Sequence, residues 1–159
     1  MRREHLQWVV LIGIFGVVFA AAAVGGSFTG GSVGTWYPKL AKPAWTPPAR
    51  VFSPAWTALY ASMVVAAWLV WRRDGASVKP AAVLFAIQLV LNAGWPAVFF
   101  GLRQPGWAFA ELAVLWLAIV ATVAAFWRVS RPAGVLLLPY LAWCTFAGAL
   151  NFAIWRMNV

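Results

Sequence analysis

The chain has 159 residues, 64% of them hydrophobic and 9% charged, with a mean hydropathy of +0.83. Soluble domains carry about 25% charged residues, so this chain lacks the polar side chains to cover a water-facing surface. A soluble enzyme and a disordered tail are excluded, and so is a disulfide scaffold, because Cys144 is the single cysteine. The formal charge of +9 comes from 12 Lys and Arg against 3 Asp and Glu. These cations fall in the gaps between apolar runs, which is the pattern of membrane anchors and not of a nucleic-acid-binding face.

Five apolar runs follow along the chain, at residues 6–28, 52–71, 80–102, 107–127 and 133–155. Crossing about 30 Å of hydrocarbon at 1.5 Å per residue takes about 20 residues, and every run is long enough. The runs lack the polar-apolar alternation of barrel strands, so helices are expected. The predicted fold is an all-α membrane protein, a single five-transmembrane-helix domain over 1–159. The first run follows Arg2 and Arg3, but its apolar core from Trp8 to Val24 exceeds the 7–15 residues of a signal peptide, so it is read as a retained helix.

Three joints are short and carry Arg, Gly and Pro, as suits antiparallel neighbours. The fourth, residues 29–51, is long and dense in Trp, Pro and Lys, and is read as a lid on the helix ends. Gly30, Gly31 and Gly34 are its expected hinge, and Pro38, Pro43, Pro47 and Pro48 its stiffeners. Seven Lys and Arg on the N-terminal side against five on the other favour a cytoplasmic N-terminus in a bacterial cell membrane, with lid and C-terminus opposite.

The only histidine is His5, in the N-terminal tail, so no Ser-His-Asp or Cys-His arrangement is available inside the bundle, and no metal site is expected. Glu111 is the one carboxylate inside a predicted span. It reads either as a functional acid or as an interfacial Glu held by Arg103 or a neighbouring helix. Aromatic surface is abundant: 12 Trp, 11 Phe and 3 Tyr. An interfacial belt accounts for those near helix ends, but Trp95, Trp116 and Trp143 lie inside spans.

Helical spacing places Gln88, Asn92, Trp95 and Phe99 on one stripe, Tyr140, Trp143, Ala147 and Asn151 on a second, and Trp56, Tyr60 and Met63 on a third. Amides in hydrocarbon must face the bundle interior and find partners, so the stripes are expected to converge. Two readings stand at this point. The stripes tie helices together, or they line a cavity for a large flat apolar ligand.

The segment Trp36-Tyr37-Pro38-Lys39-Leu40-Ala41-Lys42-Pro43-Ala44-Trp45-Thr46-Pro47-Pro48, followed by Trp56-Thr57-Ala58-Leu59-Tyr60, resembles the signature of the translocator protein family, also called TspO/MBR, tryptophan-rich sensory proteins or peripheral-type benzodiazepine receptors. QLVLNAGWPAVFFG from Gln88, RQPGW from Arg103, and PYLAWCTFAGALNFAIWRMN from Pro139 extend the likeness over nearly the whole chain. The resemblance implies a homodimeric five-helix bundle that binds protoporphyrin IX, haem, sterols or lipids, and synthetic isoquinoline or benzodiazepine-type ligands. It implies no cofactor, the porphyrin being a ligand. It further implies a pocket of Tyr37, Pro47, Trp56, Tyr60, Gln88, Asn92, Trp95, Phe99, Trp107, Trp143, Ala147 and Leu150. The function implied is a tetrapyrrole receptor or transporter that regulates tetrapyrrole levels. The alternative is a light-dependent porphyrin-degrading enzyme in which Trp56 and Trp143 are catalytic. The vertebrate sterol pattern departs here, with Phe152 where a Tyr is wanted ahead of Arg156. In the implied mechanism the rings of Trp56 and Trp143 stack on the tetrapyrrole, and its carboxylates meet Lys39, Lys42 or Arg50.

Overall fold

The computed structural model describes the backbone of residues 2–159 and the side chains from His5 onward. Its helices are α1 (Arg2–Val33), α2 (Ala49–Trp71), α3 (Val78–Pro96), α4 (Pro105–Val129) and α5 (Arg131–Met157), and no strand occurs among the described residues. All five are long and apolar enough to cross a membrane.

The first helix runs further than the composition of its end suggests. Residues 29–33, expected to open the lid, continue α1. Their hydroxyls are satisfied without breaking the helix: Thr29 Oγ1 donates back to the Gly25 carbonyl (3.2 Å) and Ser32 Oγ reaches across to the Phe100 carbonyl (2.7 Å), while Thr35, just past the helix end, donates to the Gly31 carbonyl (2.7 Å). A side-chain hydroxyl bonded back one turn is compatible with helix, which is why the Gly-Ser stretch does not break here. The lid is therefore residues 34–48, with one short 3₁₀ turn at Tyr37–Lys39. Gly30 and Gly31 belong to helix, so the expected hinge reduces to the segment beginning at Gly34.

The third helix also ends differently. After Pro96 the chain widens into a π turn over Ala97–Gly101, closed by the Leu102 amide donating to the Ala97 carbonyl at 2.8 Å. Proline has no N–H and its ring crowds the carbonyl four residues back, so regular winding cannot pass through it undisturbed. The wider turn buries Phe99 and turns the Phe100 carbonyl toward Ser32.

Packing is dictated by lipid, not water. Met63, Leu115, Ile119, Phe126, Leu137 and Tyr140 are fully buried between helices, whereas Val9, Ile12, Val83, Val90 and Leu117 point outward and are more than half exposed. With hydrocarbon outside, close packing and interhelical hydrogen bonds hold the bundle instead of apolar burial. The joint between α4 and α5 is the single residue Ser130. It works because Gly134 admits Trp127: a Cβ at 134 would lie 3.0 Å from the Trp127 Cα and 2.8 Å from its Cε3. The α4–α5 and α3–α4 pairs, with α2 against α5, bring the three aromatic stripes together, and α1 closes the side formed by α2 and α3.

Candidate functional site

The amides on α3 find their partners in the interior. Tyr60 on α2 donates its hydroxyl to Asn92 Oδ1 (2.7 Å), Asn92 Nδ2 donates to the Tyr140 hydroxyl on α5 (2.9 Å), and Tyr140 donates to Gln88 Oε1 (2.9 Å). Four residues on three helices thus form one polar chain. Gln88, Asn92 and Tyr140 are buried, and Tyr60 is its only partly exposed member. A second tie lies one turn further along. Trp95 Nε1 donates to Asn151 Oδ1 (3.1 Å), whose own amide donates to the Pro105 carbonyl at the start of α4 (2.8 Å). The amides of Asn92 and Asn151 are thereby paired at both oxygen and nitrogen, as hydrocarbon requires, whereas Gln88 is paired at its carbonyl oxygen alone. Trp116, also deep in its span, donates to Thr145 Oγ1 (2.8 Å) and ties α4 to α5.

Aromatic rings surround the open end of the polar chain. Trp56 stacks on Tyr60 with centroids 5.4 Å apart and meets Tyr140 edge-on at 6.3 Å. Trp143 meets Phe52 at 5.9 Å and Phe146 at 5.8 Å. Beyond them Trp36 and Tyr37 of the lid pack against Phe99 at 5.7 and 6.3 Å, and Phe99 stacks on Trp95 at 4.9 Å. Leu150 is buried in this second cluster. Of the residues expected to line a pocket, Trp56, Tyr60, Gln88, Asn92, Trp143 and Ala147 gather around the polar chain. Tyr37 of the lid packs on the cluster of Trp95, Phe99 and Leu150 beneath it, and Pro47 is half-buried just before α2.

Trp107 stands apart. It is 74% exposed and lines a cavity of about 540 Å³ with Arg103, Gln104, Gly106, Trp155 and Asn158. Neither Trp56 nor Trp143 borders that cavity. A second cavity of about 380 Å³ lies between Trp8, Phe15 and Val65 on the outer flank of α1 and α2.

The lid is fastened by two polar devices that sequence reasoning missed. Lys42 Nζ donates to the carbonyls of Tyr37 (2.8 Å), Leu40 (2.8 Å) and Pro38 (3.3 Å), and lies 4.8 Å from the centre of the Tyr37 ring. A lysine so occupied is a pin inside the loop, whereas Lys39 and Arg50 are exposed and free to meet an anion. Asn158, just past α5, accepts from the Ala41 amide (3.0 Å) and donates to the Ala41 carbonyl (2.9 Å), holding the lid to the C-terminus. An isolated Asn next to the C-terminal residue carries no periodic signal, so only the folded chain reveals this latch. Tyr140 was legible, being on the Trp143 stripe, yet its place at the centre of the chain depends on the helix register. Half-burial raises the Tyr37 phenol above its ordinary value of 10.0.

Glu111 corrects both pairing expectations. Its two carboxylate oxygens are buried and have no hydrogen-bond partner among the described residues, Arg103 included. It faces the bare backbone at Gly94, where an added Cβ would lie 3.8 Å from Oε1.

Residues 14–156 match the model of the TspO/MBR family. The chain is 42% identical over 162 residues to the tryptophan-rich protein TspO of Chlorobaculum tepidum, covering 99% of each. It is 40% identical over 154 residues to the translocator protein of Bos taurus, with 95% of this chain and 91% of that protein covered. It is 42% identical over 154 residues to the tryptophan-rich sensory protein of Cereibacter sphaeroides, with 97% and 94% covered. With five spanning helices and a family match that runs from within α1 to the end of α5, the chain belongs to the TspO/MBR family of multi-pass membrane proteins.

Proposed function

We propose that this chain is a membrane receptor or transporter for tetrapyrroles such as protoporphyrin IX and haem, acting as a homodimer with its N-terminus in the cytoplasm of a bacterial cell. The observation that carries the reading is the gathering of Trp56, Tyr60 and Trp143 around the outer end of a buried polar chain, beneath a lid fastened at its edge. Large ring faces with few, fixed polar groups are what a flat apolar ligand requires. Trp56 stacks on Tyr60 and Trp143 meets Phe52 edge-on in this structure, so a ligand enters by lifting the lid and taking over those ring contacts. Its carboxylates then meet Lys39 of the lid and Arg50 in the first turn of α2, both exposed, whereas Lys42 is engaged by backbone carbonyls.

A second reading, light-dependent porphyrin breakdown, is favoured by the stacking of the oxidisable Trp56 indole on the Tyr60 phenol. One titration separates the two. Protoporphyrin IX added to the purified chain should quench tryptophan fluorescence saturably in the dark. Illumination that leaves the porphyrin absorption unchanged supports binding alone, and conversion over many turnovers supports the enzyme. Absence of saturable quenching would remove both.

A further inference from the structure

We propose that the Tyr60–Asn92–Tyr140–Gln88 chain is a reversible hydrogen-bond relay that makes the site select flat ligands presenting an acceptor oxygen, a carbonyl or carboxylate, to the Tyr60 hydroxyl. The inference deepens the binding function proposed above and rests on Tyr60 facing the ligand.

As the chain stands, every proton in it points inward, from Tyr60 to Asn92 to Tyr140 to Gln88. The sequence of donations ends badly. Gln88 is 1% exposed, its carbonyl oxygen is paired, and its amide nitrogen has no partner among the described residues. A buried N–H without an acceptor is among the rarest defects of folded proteins, while a carbonyl left short of a donor is better tolerated.

The same four side chains can carry their protons the other way without moving a ring. The oxygen and nitrogen of a primary amide have nearly the same size, so turning the Gln88 and Asn92 amides over exchanges donor for acceptor at fixed distances. Gln88 Nε2 then donates to Tyr140, Tyr140 to Asn92 Oδ1, Asn92 Nδ2 to Tyr60, and the Tyr60 proton points out of the chain. One of the two unpaired N–H groups of Gln88 gains an acceptor, and the Gln88 carbonyl gives up its donor in exchange. The exchange is complete only when something accepts from Tyr60.

Such an acceptor gains more than one bond, because by taking the Tyr60 proton it also pairs a Gln88 N–H three side chains deeper. A donor ligand gains less. It bonds to the Tyr60 oxygen only while the chain points inward, and the Gln88 N–H stays orphaned. Cooperative polarity of this kind is strongest where the surroundings are apolar, as they are between α2, α3 and α5.

Three tricyclic probes of nearly equal shape read the polarity: fluorenone presents an acceptor, carbazole a donor and fluorene neither. Their affinities for the full chain in lipid nanodiscs are measured by calorimetric titration. The native chain should bind fluorenone about threefold or more tighter than carbazole, and Tyr60→Phe should remove that ratio. Gln88→Met, apolar and of equal length, leaves the inward direction without a final acceptor and so fixes the Tyr60 proton outward. It should raise the fluorenone-to-carbazole ratio by a further factor of about three. A merely structural Gln88 would change all three affinities alike and leave the ratio untouched, and that result overturns the relay. So does a ratio near one in the native chain, or one that survives Tyr60→Phe, neither of which depends on the Gln88 variant folding. If none of the probes binds, the pocket reading falls and takes the relay with it.

Discussion

Substituting Asn158→Ala tests whether the lid is a fastened element or a passive loop. The side chain makes two bonds to Ala41, accepting from its amide at 3.0 Å and donating to its carbonyl at 2.9 Å, and a third, intrahelical one to the Ile154 carbonyl. Only the first two join lid to bundle. Both are exposed, so each contributes at the lower part of the net range for protein hydrogen bonds, and the pair together about 1–2 kcal/mol. That difference raises the open population of the lid about 5- to 30-fold. Amide hydrogen exchange followed by mass spectrometry reads this directly in nanodiscs. Peptides covering residues 34–48 should exchange about 5- to 30-fold faster in the variant, with α2 to α5 unchanged. Unaltered exchange in the lid would show that the packing of Trp36 and Tyr37 on Phe99 holds it alone, and the latch argument would fail.

Gly134→Ala should destabilise the α4–α5 pair. The gain of about 1 kcal/mol in helix propensity is opposed by overpacking of about 1–3 kcal/mol against the Trp127 backbone, and a lowered melting temperature in detergent checks the sign. Trp56→Phe with Trp143→Phe keeps most of the apolar ring area and removes the oxidisable indoles. Porphyrin affinity should fall by less than about tenfold while any light-dependent conversion disappears; conversion that survives would end the enzyme reading. The half-buried Tyr37 phenol gives alkaline sensitivity. Its value is raised on folding, so its contribution is fully present below pH 10 and is lost as pH rises above that. The fall in melting temperature between pH 9 and 11 should be smaller in Tyr37→Phe than in the native chain.

The number of helices and the faces they bury were legible because hydrocarbon imposes simple rules on length and on amide placement. Gln88, Asn92, Tyr60 and Trp56 could be placed on converging stripes from spacing alone. Helix ends were less legible. Residues 29–33 look like loop by composition, yet their hydroxyls bond back to carbonyls or across to Phe100 and stay helical. Pro96 warned of a break but not of the π turn that buries Phe99. Lys42 could be read only as a free cation, because its three carbonyl partners come together when the loop folds. Trp107 sits on a family motif but on the outer side of α4, where a span assigned by length says nothing of rotation.

The latch also separates rate from affinity. Ala41 and Lys42 of the lid and Asn158 past α5 make their bonds to one another and to lid carbonyls, whereas Trp56 and Trp143 make their ring contacts with Tyr60, Tyr140, Phe52 and Phe146. A lid that closes over a bound tetrapyrrole remakes the Asn158 bonds to Ala41, so these bonds stabilise the free and the occupied closed states alike. An interaction equal in both states cannot shift the binding equilibrium, but it must break each time a ligand passes. Asn158→Ala should therefore speed porphyrin association and dissociation together, by about 5- to 30-fold, and leave Kd within about threefold of native. Stopped-flow quenching of tryptophan fluorescence gives both rates. If Kd moves while the association rate does not, the ligand never crosses the lid, and entry must instead run between helices from the lipid.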